Sequence, residues 1–264
     1  MLSYVHPQPG EKIVEFSTGS GYLTIPLAAA VSRNGKRQQR KEEENKKQQK
    51  NPLDGEVITY DVVEENSKYV AAINENDVLP IKTKCFSFES SYLYHFEEKD
   101  TSIDKAVSLA TFHHCDIRKT AYNDYDTGIR GRQSIFQEAS RVLVPHGLLI
   151  IGDVAEDTIA QRYFEAVQDP RYCAPNGHPH SFLSKDLAEA LCYQSNLSLV
   201  QYTIEKLQWH FKEEGEAVRF FQGLHNAQCS SEELMSIIQK HLPVTKTKEG
   251  ISIGWELCFL TAQK

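Results

Sequence analysis

The sequence predicts an α/β fold: a doubly wound, mostly parallel sheet of seven strands, with an antiparallel last strand and a helical insertion near the C-terminus. Three observations predict it. A short apolar run, residues 13–16, passes through Ser17, Gly19 and Gly21 into a helix-compatible apolar run, residues 22–31. A second strand-like run, residues 55–61, ends on an acid, Asp61. A continuous apolar run, residues 148–151, follows the turn-forming Pro145-His146-Gly147 and suits a strand buried on both faces.

The first unit reads as strand, glycine turn, helix. Glycine lets a ligand approach the turn backbone, and the helix start presents unpaired amides. Glu15 at the strand end is informative, because a carboxylate there would repel a pyrophosphate and suits a ligand with a cationic end. Gly21 and Asp61 are 40 residues apart, but residues 33–52 form a polar insertion. Removing it leaves about 20 residues, the spacing at which an acid at the second strand end meets a ribose. Residues 33–51 carry eight basic and three acidic side chains and almost nothing apolar. They read as a solvated loop expansion or, less simply, as a basic tether.

Further along, residues 66–74 suit a helix and residues 81–88 alternate as a strand, with Glu89 after it. Residues 103–110 read as the fourth strand, leading into Thr111-Phe112-His113-His114-Cys115. Residues 132–143 are amphipathic. After the fifth strand come a helix over 158–167, a proline-rich loop over 169–180 and a helix capped by Ser184. A strand-like stretch, 197–211, is followed by helices at 213–225 and 231–241 and a final strand at 251–262. The lead-in, residues 1–12, holds Pro7 and Pro9 and reads as turns rather than a regular helix. One domain over 1–264 is expected, with the insertion at 33–52 and a helical lid at 212–245.

Composition bounds the function. The net charge is −7 and the pI about 5.8, which argues against a broad nucleic-acid surface. Six scattered cysteines without a C-x-x-C pair suit reduced thiols and a cytoplasmic location. No run of about 18 apolar residues suggests a membrane span, and the start lacks a basic-then-apolar leader. Cys173, His178 and His180 lack a second ligand pair, so no metal site is expected.

Glu15 with the alternating Gly19 and Gly21 resembles motif I of the class I S-adenosylmethionine-dependent methyltransferases. Residues 103–114 resemble that family's F-D-A-V-x-S-x-x-x-H-H, and residues 141–153 its R-V-L-K-P-G-G-x-L-x-I-x-D. The resemblance covers residues 9–155 without the insertion. Ser17 and His146 stand where the family has glycine. The resemblance implies S-adenosyl-L-methionine as cofactor, bound by Glu15, Ser17, Gly19, Gly21, Asp61, Val62, Glu89 and Ser108. It places His113 beside the cofactor, as a general base or as a packing residue that fixes the loop. A small-molecule acceptor under the C-terminal lid is the expected partner. A catalytically silent binding protein and a nucleic-acid methyltransferase are the alternative readings.

Overall fold

The structure, a computed structural model, describes residues 1–32, 55–75, 78–86, 94–115, 130–169, 171–172 and 182–264. The polar insertion, Glu89 and the loop carrying Cys173, His178 and His180 lie outside the described residues.

The chain runs α1 (Leu2–Val5), β1 (Lys12–Phe16), α2 (Thr24–Val31), β2 (Glu56–Asp61), α3 (Glu64–Ile73), β3 (Ile81–Cys85) and β4 (Ile103–Leu109). A short 3-10 turn, Phe112–His114, leads on to α4 (Arg130–Val142), β5 (Leu143–Asp153), α5 (Ile159–Val167) and α6 (Lys185–Gln194). The C-terminal part is β6 (Ser198–Phe211), α7 (Glu214–His225), α8 (Ser231–His241), β7 (Val244–Thr247) and β8 (Gly250–Gln263). The sheet order is β3-β2-β1-β4-β5-β8-β6, seven strands in a row, with β7 as a short eighth strand paired to β8. The first five strands of this path are parallel, and β8 is antiparallel to both its neighbours β5 and β6.

The order turns between β1 and β4, where successive connections leave in opposite directions. Their carboxyl ends therefore open a crevice, the place where such sheets bind ligands. Ile13, Val57, Val107 and Ile150 pack on one face with Leu27, Ala28 and Val31 of α2. Val14, Ile58, Ala106 and Ile151 pack on the other with Ile135 and Phe136 of α4 and Leu191 of α6. Alternate residues of each strand thus serve opposite cores, which is why these strands read as apolar runs rather than alternations.

β8 is longer than β5 needs. Its residues 258–263 pair with β5, while residues 250–257 run past Asp153, the carboxyl end of β5. There β8 is flanked by β6 and β7, and α5, α7 and α8 pack against it around Tyr163, Phe164, Phe221 and Trp255. Ser230 closes a capping box on α8, and Thr158 and Ser184 cap α5 and α6. The result is a wall that stands beyond the strand ends beside the crevice.

The lead-in contains one element that its prolines did not suggest. A single turn, α1, precedes them, and its Tyr4 stacks on Phe259 of β8 with ring centres 4.4 Å apart. Four residues before Pro7 suffice for one turn, because proline constrains the residue ahead of it and not those further back.

Both residues that stand in place of glycine have left-handed backbone. Ser17 has φ of 62° and His146 φ of 68°, beside Gly19 at 52° and Gly21 at 79°. The turns keep the shape that glycine would allow, and the side chains are accommodated at a cost of about 1–2 kcal/mol each. Glycine would relieve that strain, but the greater freedom of its unfolded chain offsets part of the gain. His146→Gly should therefore raise stability by about 0.5–1 kcal/mol in urea denaturation. A lowered midpoint would show that His146 makes compensating contacts.

Candidate functional site

The site begins at the end of β1. Glu15 is 2% exposed and sits between Thr59 of β2 and Val107 of β4 in the sheet. The Thr24 hydroxyl, at the start of α2, donates to Glu15 Oε2 at 2.5 Å. Burial pushes the Glu15 carboxyl up to about 8, and the nearby charge of Asp61 adds to this against the opposing Thr24 hydrogen bond.

After Phe16 the chain turns. The amides of Ser17 and Thr18 donate to the Tyr60 carbonyl at 2.7 and 3.4 Å, and the Gly21 amide to the Thr18 carbonyl at 3.0 Å. Asp61 fastens the turn: its Oδ2 accepts from the Gly19 amide at 2.8 Å and its Oδ1 from the Val63 amide at 2.9 Å. A β-carbon added at Gly19 would meet nothing within 4 Å, so the turn faces open space there. At Gly21 it would meet Val70 Cγ2 at 3.0 Å, which ties that glycine to α3. Val62 is half exposed beside Asp61, and an apolar surface there suits a planar ring. Ser108 is fully buried at the end of β4 and shares a 3.0 Å hydroxyl contact with Thr111. Glu15, Ser17, Gly19, Gly21, Asp61 and Val62 thus gather around one turn, and Ser108 lies on the neighbouring strand.

The second part of the site stands on β4 and β5. His113 follows β4 in the 3-10 turn, which Phe112 anchors by packing on Phe16 and Phe136 with ring centres 6.4 and 5.7 Å away. His113 Nδ1 lies 2.5 Å from Asp153 Oδ1, and the His113 amide donates to Asp153 Oδ2 at 3.2 Å. Asp153 also accepts from the Val154 amide at 2.6 Å. Burial alone would raise the Asp153 carboxyl, but the His113 imidazole and these hydrogen bonds outweigh it and hold it below its ordinary range. On the far side of His113 stand Phe164 of α5, ring centres 6.0 Å apart, and then His225 of α7, 4.8 Å from Phe164. Burial, with the adjacent His113, depresses the His225 imidazole to about 3 and keeps it neutral.

Asp153, Thr24 and His225 were not among the residues the sequence singled out. Asp153 had a readable signal, since it ends β5 as Asp61 ends β2. His225 had none, because 112 residues separate it from His113 in the chain. Among the described residues no group of three or more possible ligands could hold a metal ion. A cavity of about 560 Å³ beside α1, lined by Tyr4, Glu205, Phe259 and Thr261, includes none of the site residues.

No family model and no curated protein matches this chain. Solved structures do match it. A provisionally assigned methyltransferase from Bacillus halodurans C-125 superposes with a TM-score of 0.60 at 16% identity, over 100% of this chain and 96% of its own. An S-adenosylmethionine-dependent methyltransferase from Methanosarcina mazei gives 0.53 at 14% identity, over 100% and 96%. The [4+2]-cyclase SpnF gives 0.52 at 12% identity, over 97% and 75%. The chain has the class I methyltransferase fold. That one neighbour is a cyclase shows that this fold carries more than one chemistry.

The residues present fit S-adenosylmethionine. The glycine turn is open at Gly19, one buried carboxyl, Glu15, stands behind it with no basic side chain bonded to it among the described residues, and a second, Asp61, stands at the end of β2. The raised Glu15 carboxyl also predicts a pH effect on the fold itself. A folded-state value above the ordinary 4.5 stabilises the protein at low pH, and this contribution is lost as pH rises toward about 8. Glu15→Gln, which keeps an oxygen for Thr24, should flatten that fall. Chemical denaturation of both proteins across this window measures it, and parallel curves would show an ordinary Glu15.

Proposed function

We propose that the chain transfers a methyl group from S-adenosylmethionine to a small-molecule acceptor, with His113 as general base. The observation that carries this reading is the His113–Asp153 pair, which joins the turn after β4 to the end of β5, with the glycine turn following β1, the other neighbour of β4. When bound, the cofactor supplies a methyl group on a sulfonium, and the departing sulfur is neutral. The protein therefore has no oxyanion to stabilise, and its contribution is positioning and exclusion of water.

In this reading Asp61 and Val62 hold the nucleoside end, the turn from Ser17 to Gly21 the methionine end, and Glu15 its positive charge. Ser108 borders the space between this turn and His113. Asp153 fixes the His113 ring by its Nδ1 side, so the Nε2 edge is the one that takes a proton from the acceptor as its nucleophile attacks. The helical segment 212–245 covers the acceptor from the wall side. Glu89 after β3 remains a proposed contact to the adenine.

A methyl-transfer screen against a metabolite library tests the reaction. With an acceptor in hand, His113→Asn should lower kcat by about 100-fold or more while the KM for the cofactor stays close to wild type. An unchanged kcat would make His113 a packing residue.

A further inference from the structure

The Glu15 carboxyl is placed unlike an ordinary buried acid. Such a group is normally held ionised by a cation or by several N–H donors. Among the described residues Glu15 has one side-chain donor, the Thr24 hydroxyl at 2.5 Å, and no salt bridge. Its cross-strand neighbour Thr59 has a fully buried hydroxyl without a hydrogen-bond partner.

Among the described residues the surrounding charges do not supply a counter-ion. From β2 comes Asp61, of the same sign. From β4 come Val107, which is apolar, and Lys105, whose Nζ is bonded to Glu11 at 2.8 Å and to the His6 carbonyl at 3.0 Å. From α2 comes Thr24. α3 presents Val70 to the turn, and its Glu64, Glu65 and Lys68 are exposed. An anion at Glu15 would face Asp61 across the turn without a cation.

We propose that Glu15 is a proton-exchanging counter-ion: it is neutral in the ligand-free protein and releases its proton to solvent when a cationic ligand enters the glycine turn, so that binding S-adenosylmethionine displaces about one proton. This rests on the cofactor reading above and goes beyond it. The O–H bond of Glu15 breaks, the proton goes to buffer, and the carboxylate left behind is matched by the positive charge of the ligand. Burial of the carboxyl supports the same conclusion, since it favours the neutral form until a cation arrives. The consequence is cofactor affinity that rises with pH on the acid side of neutrality.

Calorimetric titration of S-adenosylmethionine at pH 7, in buffers of different ionisation enthalpy, counts the protons. The expected result is close to one proton released by the wild type and none by Glu15→Gln. Affinity of the wild type should rise by up to about tenfold per pH unit between roughly pH 6 and 7.5, and the variant should be flat. In parallel, carbon NMR of glutamate-labelled protein without ligand should show the Glu15 carboxyl still protonated at pH 7, assigned by its loss in Glu15→Gln. Binding with buffer-independent heat, or a Glu15 resonance that titrates near the ordinary carboxylate value, overturns the exchange and leaves the cofactor reading standing. No binding at any pH contradicts the cofactor reading and removes the exchange with it.

Discussion

The Asp61 carboxylate holds this site together. It ends β2 and accepts two backbone hydrogen bonds, from Gly19 across the crevice and from Val63 on its own side. Charge-assisted bonds of this kind are among the stronger ones in a folded chain. With the Ser17 and Thr18 amides drawn to the Tyr60 carbonyl, they set the turn after β1 against the end of β2. The left-handed backbone at Ser17 is a consequence: the turn is fastened from β2, so a residue with a β-carbon adopts the shape that glycine would take freely. A further consequence is electrostatic. Fixing one anion at the turn raises the energy of a second, and burial together with that charge pushes the Glu15 carboxyl, behind the same turn, above its ordinary range.

The second part of the site depends on a different device, the overlong β8. Because β8 continues past the end of β5, it gives α5, α7 and α8 a surface to pack on beyond the strand ends. This brings Phe164 beside His113 and His225 beside Phe164. The parallel half of the sheet thus supplies the turn and the dyad, and the antiparallel half supplies what encloses them.

Much of this was legible in the sequence, for physical reasons. Strands buried on both faces leave continuous apolar runs, and carboxyl-end acids stand out at Glu15 and Asp61. The spacing to Asp61 made sense once the polar insertion was set aside. The helices read at 213–225 and 231–241 are present at Glu214–His225 and Ser231–His241. What stayed hidden were contacts between distant segments. Nothing local in Asp153 says that it will meet a histidine 40 residues earlier, and nothing in Thr24 says that it will reach back to Glu15. The short strand β7 also escaped notice, because four residues, three of them polar, pair only when β8 is there to pair with. Likewise α1 is held by its contact with β8 rather than by propensity, since one turn is far below the length that sustains a helix alone.

If Asp61 is the residue on which the ligand turn depends, its removal must be felt by the ligand first. The direct measurement is equilibrium titration of S-adenosylmethionine against the wild type and Asp61→Ala, with thermal unfolding to verify that both are folded. The wild type should bind, and the variant should lose at least about tenfold in affinity, the loss expected when charge-assisted hydrogen bonds are removed. Equal affinities, or a wild type that does not bind at millimolar cofactor, would contradict the account.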